Sequence, residues 1–478
     1  MSVWTSARMA ERIRGRLVGN PELSGQGCAI DSRQVSGGEI FFALPGERAD
    51  GYDYVEKAWE QGGSVAVASI RSFGERPLEV PETKALILVE EPLIALQELA
   101  AWRRSLLSAK VIGLTGSSGK TTTKDMLAAV LAQRYRTYKN QGNQNNELGL
   151  PLTILNAPEN TEVLVLEMGM RGLNEIKALC LIARPEMGVV TNIGVTHMDR
   201  LGSREAIARA KWELIDALPP QGLAILNAED EWSVRLAQGD GRPQRFYGLR
   251  GRWRSPDIQG GAVRMTADSL GTAFTVSAQE ETAAVRIPLP GEHHVLDALA
   301  ALAAGLACGI PLAEGAEALS HFQASGMRWE VRQGIHGSTL ISDVYNANPE
   351  SMSASVRMLA ERAQGCYTLA LLGDMYELGT ESGRGHRQVG RTVAETGVDY
   401  LMTAGRLAAE IAAGAVEAGM EAARVGSFAA KEEMLAAARR VLRKNADAWV
   451  LIKGSRGMKM EEVTAGLRIP QEQGRTGE

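Results

Sequence analysis

Paired cysteines and an excess of charge of one sign are both missing from this chain of 478 residues. Its four cysteines include no CxxC pair, which argues against a disulfide framework and against a cysteine-based zinc site. The net charge of −5 comes from 52 basic and 57 acidic side chains that are well mixed along the chain. Such a mixture argues against a nucleic-acid partner. We therefore expect a globular protein with reduced cysteines.

Long apolar segments are missing as well. The longest apolar stretch, Ala298–Ala307, contains Gly305 and is far shorter than the roughly 20 residues that a membrane-spanning helix needs. The amino-terminal segment carries charged side chains and lacks the apolar core of a secretion signal. We therefore expect a cytoplasmic protein that does not insert into a membrane, and we also expect a monomer.

What the chain does contain is an alternation of short apolar runs with longer helical patterns. This alternation is typical of a mostly parallel β-sheet covered by helices, and so of an α/β fold. Strands are predicted at 28–33, 40–46, 65–69, 111–116, 162–169, 188–194, 222–227, 339–346, 368–374, 400–405 and 449–455, with antiparallel strands within 241–291. Changes in pattern near residues 85–108 and 321–328 divide the chain into segments 1–85, 86–322 and 323–478.

A glycine-rich turn, TGSSGKTT, lies between an apolar strand and a helical pattern. Gly116 and Gly119 allow the backbone to turn tightly, so that successive N–H groups point at phosphate oxygens. Lys120 can reach the terminal phosphates, and the hydroxyl of Thr121 or Thr122 can ligate Mg²⁺. The predicted ATP-binding residues are Thr115, Gly116, Ser117, Ser118, Gly119, Lys120, Thr121 and Thr122.

This loop is a variant, because Leu114 stands where the usual motif has its first glycine. The alternative is a glycine- and serine-rich turn that happens to precede a lysine. The order of strand, loop and helix favours ATP binding.

Two further strands end in side chains that can bind a metal. Glu167 ends one nearly all-apolar strand, and His197 follows the next. Because carboxyl ends of parallel strands meet at one edge of a sheet, both side chains are expected beside the glycine loop. Together they predict a second divalent cation near the γ-phosphate. Either residue alone could be an ordinary residue at the end of a strand.

Lys211 lies on the apolar face of a predicted helix, 204–218, together with Ile207, Leu214 and Leu218. One interpretation is a lysine whose stem packs while its ammonium group reaches water. The other is a functional lysine whose pKa is lowered by burial. A neutral amine of that kind can react with CO₂ to form a carbamate, which would add a carboxylate to the metal site.

The order of these motifs resembles the Mur ligases of peptidoglycan synthesis. The resemblance runs from about Asp31 to Glu461 and rests on TGSSGKTTTKD, NQNNELGLPLT, LEMGMR, TNIGVTHMD, AKWELI, GEHHVLDALAA, DVYNANPESM, LGDMYELG and KGSRGMKME. It implies a small α/β domain for the UDP end of a muramyl precursor and a central ATPase domain with a mostly parallel sheet. It also implies a Rossmann-like domain that closes over the nucleotide.

The resemblance also implies the reaction. Three of the motifs, NQNNELGLP, DVYNANPESM and LGDMYELG, are similar to those of family members that add D-alanyl-D-alanine to UDP-N-acetylmuramoyl-tripeptide. ATP would phosphorylate the terminal carboxylate of the tripeptide, and the amine of D-alanyl-D-alanine would attack the acyl phosphate to form a peptide bond. Because two anionic reactants must meet, a lysine and two Mg²⁺ ions would neutralise the charge.

Carried over by motif, Lys120 and Thr121 would serve the ATP phosphates and the first Mg²⁺, while Glu167, His197 and carbamylated Lys211 would serve the second. The resemblance further implies a catalytic role for Asn145, substrate contacts by Asn143, Asn146, Ser32, Arg33, Asp374 and Lys453, and nucleotide contacts by Arg328, Asp343, Tyr345 and Asn346. For some of these residues the alternative is a purely structural role: an asparagine-rich turn at 143–146, a structural arginine at 328, and a surface turn at 32–33.

One motif departs from the family. The usual pattern G-x-H-N-x-x-N is GEHHVLD here, so His294 and Asp297 replace two asparagines associated with the adenine. An amide both donates and accepts hydrogen bonds, whereas a carboxylate only accepts them, which leaves the contacts to the base open.

Other functions also stay open at this point. They are a sibling ligase that adds diaminopimelate or lysine, a folylpolyglutamate synthetase, a P-loop ATPase that acts on a partner, and a UDP-sugar-binding protein.

Overall fold

Three β-sheets follow one another along the chain, and helices pack on each of them. The computed structural model describes residues 4–46, 49–266, 271–323, 326–363 and 365–469. Within these ranges no helix is both long and apolar enough to cross a bilayer. The α/β class with three sheets agrees with the fold predicted from the sequence.

The first sheet has five short strands. They are β1 (Arg16–Gly19), β2 (Cys28–Ala29), β3 (Ile40–Phe42), β4 (Val65–Ser69) and β5 (Ala85–Val89), accompanied by helices α1 (Ser6–Arg12), α2 (Val55–Glu60) and α3 (Ile70–Glu75). The strand order is β1–β5–β4–β3–β2, with β1 antiparallel to β5 and the other pairs parallel. The predicted division at residue 85 therefore falls at the start of β5, which belongs to this sheet.

The second sheet is the largest. Its strands are β6 (Lys110–Thr115), β7 (Thr137–Lys139), β8 (Val163–Glu167), β9 (Met187–Val190), β10 (Leu223–Asn227), β11 (Gln244–Gly248), β12 (Ile258–Met265), β13 (Thr272–Ala278) and β14 (Glu281–Ile287), in the order β14–β13–β12–β11–β10–β9–β6–β8–β7. The pairs from β7 to β12 are parallel, and β12, β13 and β14 form an antiparallel extension. Its central strands are buried along almost their whole length, as in a sheet with both faces covered.

Nine helices accompany the second sheet in the part of the chain that is described. They are α4 (Pro92–Leu106), α5 (Lys120–Leu131), α6 (Gly149–Leu155), α7 (Glu175–Ala183), α8 (Met198–Leu201), α9 (Arg204–Asp216), α10 (Glu231–Ala237), α11 (Glu292–Ala307) and α12 (Leu312–Ser320). The apolar stretch Ala298–Ala307 lies within α11, where small alanine side chains pack against α5. This apolar stretch is therefore part of the protein core.

The third sheet is again mostly parallel. Its strands are β15 (Glu330–Gln333), β16 (Thr339–Asp343), β17 (Thr368–Gly373), β18 (Tyr400–Ala404), β19 (Val425–Phe428) and β20 (Trp449–Lys453), and its helices are α13 (Pro349–Arg362), α14 (Ser382–Glu395), α15 (Ala409–Glu417), α16 (Lys431–Lys444) and α17 (Glu461–Leu467). The order is β15–β16–β20–β17–β18–β19, and only β15 runs antiparallel to its neighbour.

Strand order explains where polar residues gather. In the second sheet β6 lies between β8 and β9, so the segments that follow these three strands meet at one edge. In the third sheet β20 lies between β16 and β17, so Asp343, Lys453 and the loop after β17 also meet. The two edges face a common cavity.

Candidate active site

A cavity of about 590 Å³ lies between the edges of the second and third sheets. Residues of the glycine loop, of the segments after β7, β8 and β9, and of the third sheet line it. Most of the residues singled out from the sequence are among them, namely Ser117, Ser118, Gly119, Lys120, Thr121, Thr122, Asn143, Asn145, Asn146, Glu167, His197, Lys211, Arg328, Asp343, Tyr345, Asn346 and Lys453.

The glycine loop is held by the segment after β9. Asn192 accepts hydrogen bonds from the backbone N–H groups of Ser117 and Ser118, at 2.9 and 3.0 Å, and Thr191 donates to the Ser118 carbonyl at 2.6 Å. Gly116 and Gly119 have φ values of 156° and 80°. A Cβ at Gly116 would overlap the Thr191 hydroxyl, so a glycine is required there on steric grounds as well.

Lys120 begins α5 and folds back over the loop, where its Nζ donates to the Gly116 carbonyl at 2.7 Å. Burial lowers the pKa of this lysine, and the nearby Glu167 carboxylate acts in the opposite direction. The ammonium group therefore lies at the loop that is expected to receive phosphates.

Glu167 is the centre of a hydrogen-bonded cluster. Its carboxylate is 1% exposed and accepts hydrogen bonds from the Thr121 hydroxyl at 2.9 Å and the Asn145 amide at 2.7 Å. Asn140 fixes the backbone of Glu167 on both sides, accepting from its N–H and donating to its carbonyl. The Nζ of Lys124 lies 3.7 Å from the same carboxylate.

Lys124 and Asn140 were not predicted from the sequence. Lys124 is fully buried one turn after Lys120, and burial lowers its pKa while Glu167 and Asp125 raise it. The signal that could have found it is the string KTTTK, which places two lysines on one face of α5.

The other two predicted asparagines differ in their contacts. Asn146 accepts a hydrogen bond from the Gly149 N–H at 3.0 Å and so helps to begin α6. The carbonyl of Asn143 accepts from the Asn145 N–H in the same turn. Of the three, Asn145 alone is recorded with a side-chain bond to Glu167.

Lys211 is buried inside α9, with 2% of its surface exposed. This burial disfavours the interpretation in which the stem packs while the ammonium group reaches water. Burial, assisted by the positive charge of Lys120, lowers the pKa of Lys211 well below its ordinary value. Its side chain lines the cavity as an amine that is neutral more readily than an exposed lysine.

His197 lies between the two domains that form the cavity. Its Nδ1 is 2.8 Å from Oε2 of Glu377, which lies in the loop after β17. Hydrogen bonding with His197 lowers the pKa of Glu377 and outweighs the effect of burial. Glu377 was not predicted as a site residue, although it lies within the motif LGDMYELG.

Arg328 crosses from the third domain to the glycine loop. Its guanidinium stacks on the Tyr345 ring, 4.2 Å from the centroid, and donates to the Thr121 hydroxyl at 3.1 Å. A second crossing contact joins the amide of Asn348 to the Ser118 hydroxyl at 2.8 Å. Because Asn348 also caps α13, the first turn of this helix is fixed against the loop.

Asp343 and Lys453 form a buried ion pair of 2.5 Å at the ends of β16 and β20. Burial alone would raise the pKa of Asp343, but Lys453 and a hydrogen bond from Ser355 hold it below its ordinary value. Lys453 also donates to the Asn346 carbonyl at 3.1 Å, so the pair fixes the turn that carries Tyr345 and Asn346.

Asp297 and His294, the two departures from the family motif, lie in the first turns of α11. Asp297 accepts a hydrogen bond from the Thr123 hydroxyl at 3.1 Å, and its Oδ1 occupies the space that a Cβ at Gly119 would need. Burial raises the pKa of Asp297 to about 7 and lowers that of His294 well below its ordinary value. The carboxyl group thus packs directly against the glycine loop.

Five predicted residues are not among those that line the cavity: Thr115 and Gly116 of the glycine loop, and three that lie elsewhere. The Asp374 carboxylate accepts from the Ala408 N–H at 2.7 Å and packs against Gly405, and so stabilises a turn of the third domain. Ser32 is buried in the first domain, and the adjacent Arg33 is exposed and paired with Asp31 at 2.6 Å. None of the three is among the residues that line the cavity.

The donor set of the cavity fits a hard cation in part. The oxygens of Thr121 and Glu167 lie 2.9 Å apart, and oxygen ligands of this kind suit Mg²⁺. Imidazole suits Mg²⁺ less well, and His197 is directed at Glu377. No group of three or more histidine, cysteine or acidic side chains in the described ranges forms a ready metal site. A carbamate on Lys211 would supply the carboxylate that this set lacks.

Comparison with known proteins agrees with the division into three sheets. Residues 26–104 match the model of the Mur ligase family catalytic domain, residues 114–305 that of the Mur ligase middle domain, and residues 327–456 that of the Mur ligase glutamate ligase domain.

Full-length relatives and solved structures match as well. The UDP-N-acetylmuramoyl-tripeptide–D-alanyl-D-alanine ligase of Bacillus subtilis (strain 168) is 40% identical, over 97% of this chain and 98% of the relative. The enzyme of the same name from Escherichia coli (strain K12) is 33% identical over the same shares. A crystal structure of MurF from Acinetobacter baumannii has a TM-score of 0.84 and 30% identity, and covers 97% of this chain and 98% of that one. MurF from Thermotoga maritima in complex with ADP has a TM-score of 0.77 and 26% identity, and covers 92% and 96%.

Proposed function

The chain belongs to the Mur ligase family, and we propose that it joins D-alanyl-D-alanine to UDP-N-acetylmuramoyl-tripeptide, with conversion of ATP to ADP and phosphate. The observation that carries this proposal is the convergence of the glycine loop, Glu167 and Lys211 with Arg328 in one cavity, in a chain that matches such ligases over nearly its whole length. The enzyme is an ATP-dependent ligase that forms an amide bond. We also propose that it acts in the cytoplasm, as a monomer.

The first step requires the tripeptide carboxylate to attack the γ-phosphorus of ATP. Asn192 occupies the N–H groups of Ser117 and Ser118, so those of Gly119 and Lys120 would hold the phosphates. The Lys120 ammonium would turn from the Gly116 carbonyl to them. Arg328, already bonded to Thr121, would place a second positive charge at the same point. ADP leaves, and the carboxylate becomes an acyl phosphate.

In the second step the amine of D-alanyl-D-alanine attacks the acyl carbon. A tetrahedral intermediate forms, phosphate leaves and the amide remains. Asn145 is bonded to Glu167 at the cavity wall and would orient the reacting carboxylate through its amide. Asn143 and Asn146 would shape the turn that carries it.

Mg²⁺ would neutralise the charge on the transferred phosphoryl group. Thr121 and Glu167 have the oxygen atoms to hold one such ion. Carbamylation of Lys211 consumes CO₂, releases a proton and turns a buried amine into a carboxylate, and the lowered pKa of this lysine favours that reaction. With His197 and Glu167, this carboxylate would complete a second site.

The first domain would bind the uridine diphosphate end of the precursor through Ser32 and Arg33. The exposed Arg33 would have to leave Asp31 to reach a diphosphate, a small change for a surface ion pair. Asp374 and Lys453 stay candidates for the acceptor side. Lys453 has the stronger case, because it lines the cavity.

A coupled assay of ADP release tests the proposed function. The purified full chain receives MgATP, UDP-N-acetylmuramoyl-tripeptide and one acceptor from the set D-alanyl-D-alanine, diaminopimelate, lysine and glutamate. We expect release of ADP with D-alanyl-D-alanine alone. If this dipeptide is inert while another acceptor is used, the chain is a different ligase. Turnover of ATP that no acceptor stimulates would contradict the ligase assignment altogether.

A further inference from the structure

The motif LGDMYELG places one carboxylate, that of Glu377, at the cavity from the side of the third domain. Glu377 has a φ of 64°, a left-handed conformation that is unusual for a residue with a side chain. The conformation is held by the neighbouring domain, because the Glu377 carbonyl accepts from the Met198 N–H at 3.1 Å and Gly379 packs against Asp199. His197, its partner at 2.8 Å, also has a positive φ of 63°. Strained backbone of this kind is concentrated at functional sites.

The partner of the Glu377 carboxylate, His197, lies in the second domain and not in its own. The other carboxylate that this domain contributes to the cavity lining, Asp343, is tied to Lys453 and Ser355. The side chain of Glu377 is 48% exposed and is directed across the domain boundary at His197. As a glutamate with about half of its side chain in contact with solvent, it carries a negative charge near neutral pH.

We propose that Glu377 binds the ammonium group of the incoming D-alanyl-D-alanine, an inference that rests on the proposed function. The acceptor amine must approach the acyl carbon that forms beside Lys120 and Glu167, and Glu377 lies within electrostatic range of Lys120. An amine arrives from water as an ammonium ion, and an ionised carboxylate is the group that binds it most favourably.

The charges around Glu377 suit a zwitterionic ligand. Arg171 and Arg200 line the same cavity and act on Glu377, and Lys120 adds a third positive charge. These positive charges attract the carboxylate of a dipeptide, while the Glu377 carboxylate attracts its ammonium group.

This assignment makes the acceptor site depend on domain closure. Glu377 belongs to the third domain, whereas His197, Arg171 and Lys120 belong to the second. The ammonium site is therefore complete only when the loop after β17 lies against Met198 and Asp199. The acceptor would bind to the closed enzyme, and its binding would in turn favour closure.

Replacement of Glu377 by glutamine tests the inference, since glutamine keeps the shape and removes the charge. The matched control is Glu381→Gln, on the same loop and outside the cavity lining. We measure the KM of each substrate and, in reactions without acceptor, the acyl phosphate trapped by borohydride reduction. In Glu377→Gln we expect the KM for D-alanyl-D-alanine to rise at least ~10-fold. The KM for ATP, the KM for tripeptide and the trapped acyl phosphate should stay within about twofold of wild type, because Glu377 acts after phosphoryl transfer.

Each other outcome overturns the inference. An unchanged KM for the dipeptide would show that Glu377 does not bind it. Loss of trapped acyl phosphate in parallel with ligation would assign Glu377 to the nucleotide or metal instead. Thermal melting identifies a variant that is unfolded, and Glu377→Asp, which keeps the charge, should then restore part of the affinity. Inactivity of the wild-type chain with D-alanyl-D-alanine would instead contradict the proposed function itself.

Discussion

The second and third domains contribute to one cavity with side chains of different kinds. The second supplies buried groups. Glu167 at the end of β8 is 1% exposed, and Lys211 within α9 is 2% exposed. The third supplies Arg328 and Glu377 from loops, partly exposed and directed across the boundary. Burial changes the pKa values of groups such as Lys211 in the second domain. Side chains that extend across the boundary can form and break their contacts as the third domain closes and opens. We therefore expect the second domain to control the chemical step and the third to control substrate affinity.

Removal of the charge on Lys120 should have the largest effect on activity, and it tests the role of the second domain. Lys120→Met should lower kcat/KM by about 1000-fold, because no other group would follow the γ-phosphate through the transition state from within the loop. Steady-state ADP release measures the effect, with Lys177→Met on the exposed face of α7 as control. A variant that keeps one tenth of the activity would contradict a role for Lys120 in phosphoryl transfer.

Lys211→Met should lower kcat about 100-fold if its carbamate binds a cation. The pKa of Lys211 is depressed in the fold, so neutral methionine should also stabilise the protein. The unfolded lysine binds a proton below its ordinary pKa and the folded one does not, so this gain should increase as the pH falls below about 10. Activity and melting temperature are compared at pH 7 and pH 9. Loss of both activity and stability would point to a structural lysine.

Arg328→Ala tests the third domain. It should raise the KM for ATP about 10-fold, with a smaller effect on kcat, because it removes a contact to Thr121 and the stack on Tyr345. Arg332→Ala, four residues further along the chain and paired with Glu330, is the matched control. A fall in kcat as large as that of Lys120→Met would erase the distinction between the two domains.

Asp297→Asn should have the smallest effect, and the effect should depend on pH. Burial raises the pKa of Asp297 from 3.8 to about 7, so the folded state holds a proton that the unfolded state has lost between these values. The wild type therefore loses stability as the pH rises through this window, and asparagine does not. The melting temperature of the variant should exceed that of wild type by roughly a few degrees at pH 8 and by less at pH 5. A constant difference would show that Asp297 does not titrate there.

Some residues of the site were predicted from local sequence patterns, and others only from the family resemblance. The tight turn of the glycine loop is confirmed, because glycines at fixed spacing act through local backbone geometry, and Gly116 and Gly119 have positive φ. Binding of ATP by this loop stays a prediction. Lys211 was noticed because a charge on an apolar helical face is visible as a periodicity. Ser32, Arg33 and Asp374 came from the resemblance alone, and they lie away from the cavity.

The groups that were missed are those whose partners are distant in the chain. In the sequence Lys124 is an ordinary helical lysine, and only the position of β8 brings Glu167 to 3.7 Å from it. Glu377 is likewise an ordinary loop residue in the sequence, and only the contact between the domains places it against His197. The predicted range for the first boundary, residues 85–108, begins at β5, whose pairing with β1 and β4 depends on contacts between strands that no local pattern records.

By itself the sequence determined the α/β fold, the glycine-rich turn and the position of Lys211 on an apolar helix face, because each depends on residues that are neighbours in the chain or on one face of one element. The tertiary structure alone decided which charges meet. It set Asp297 beneath the loop, Lys124 against Glu167 and Glu377 against His197. Charge pairs act over a few ångströms in space, and strand order and domain closure decide which side chains come that close.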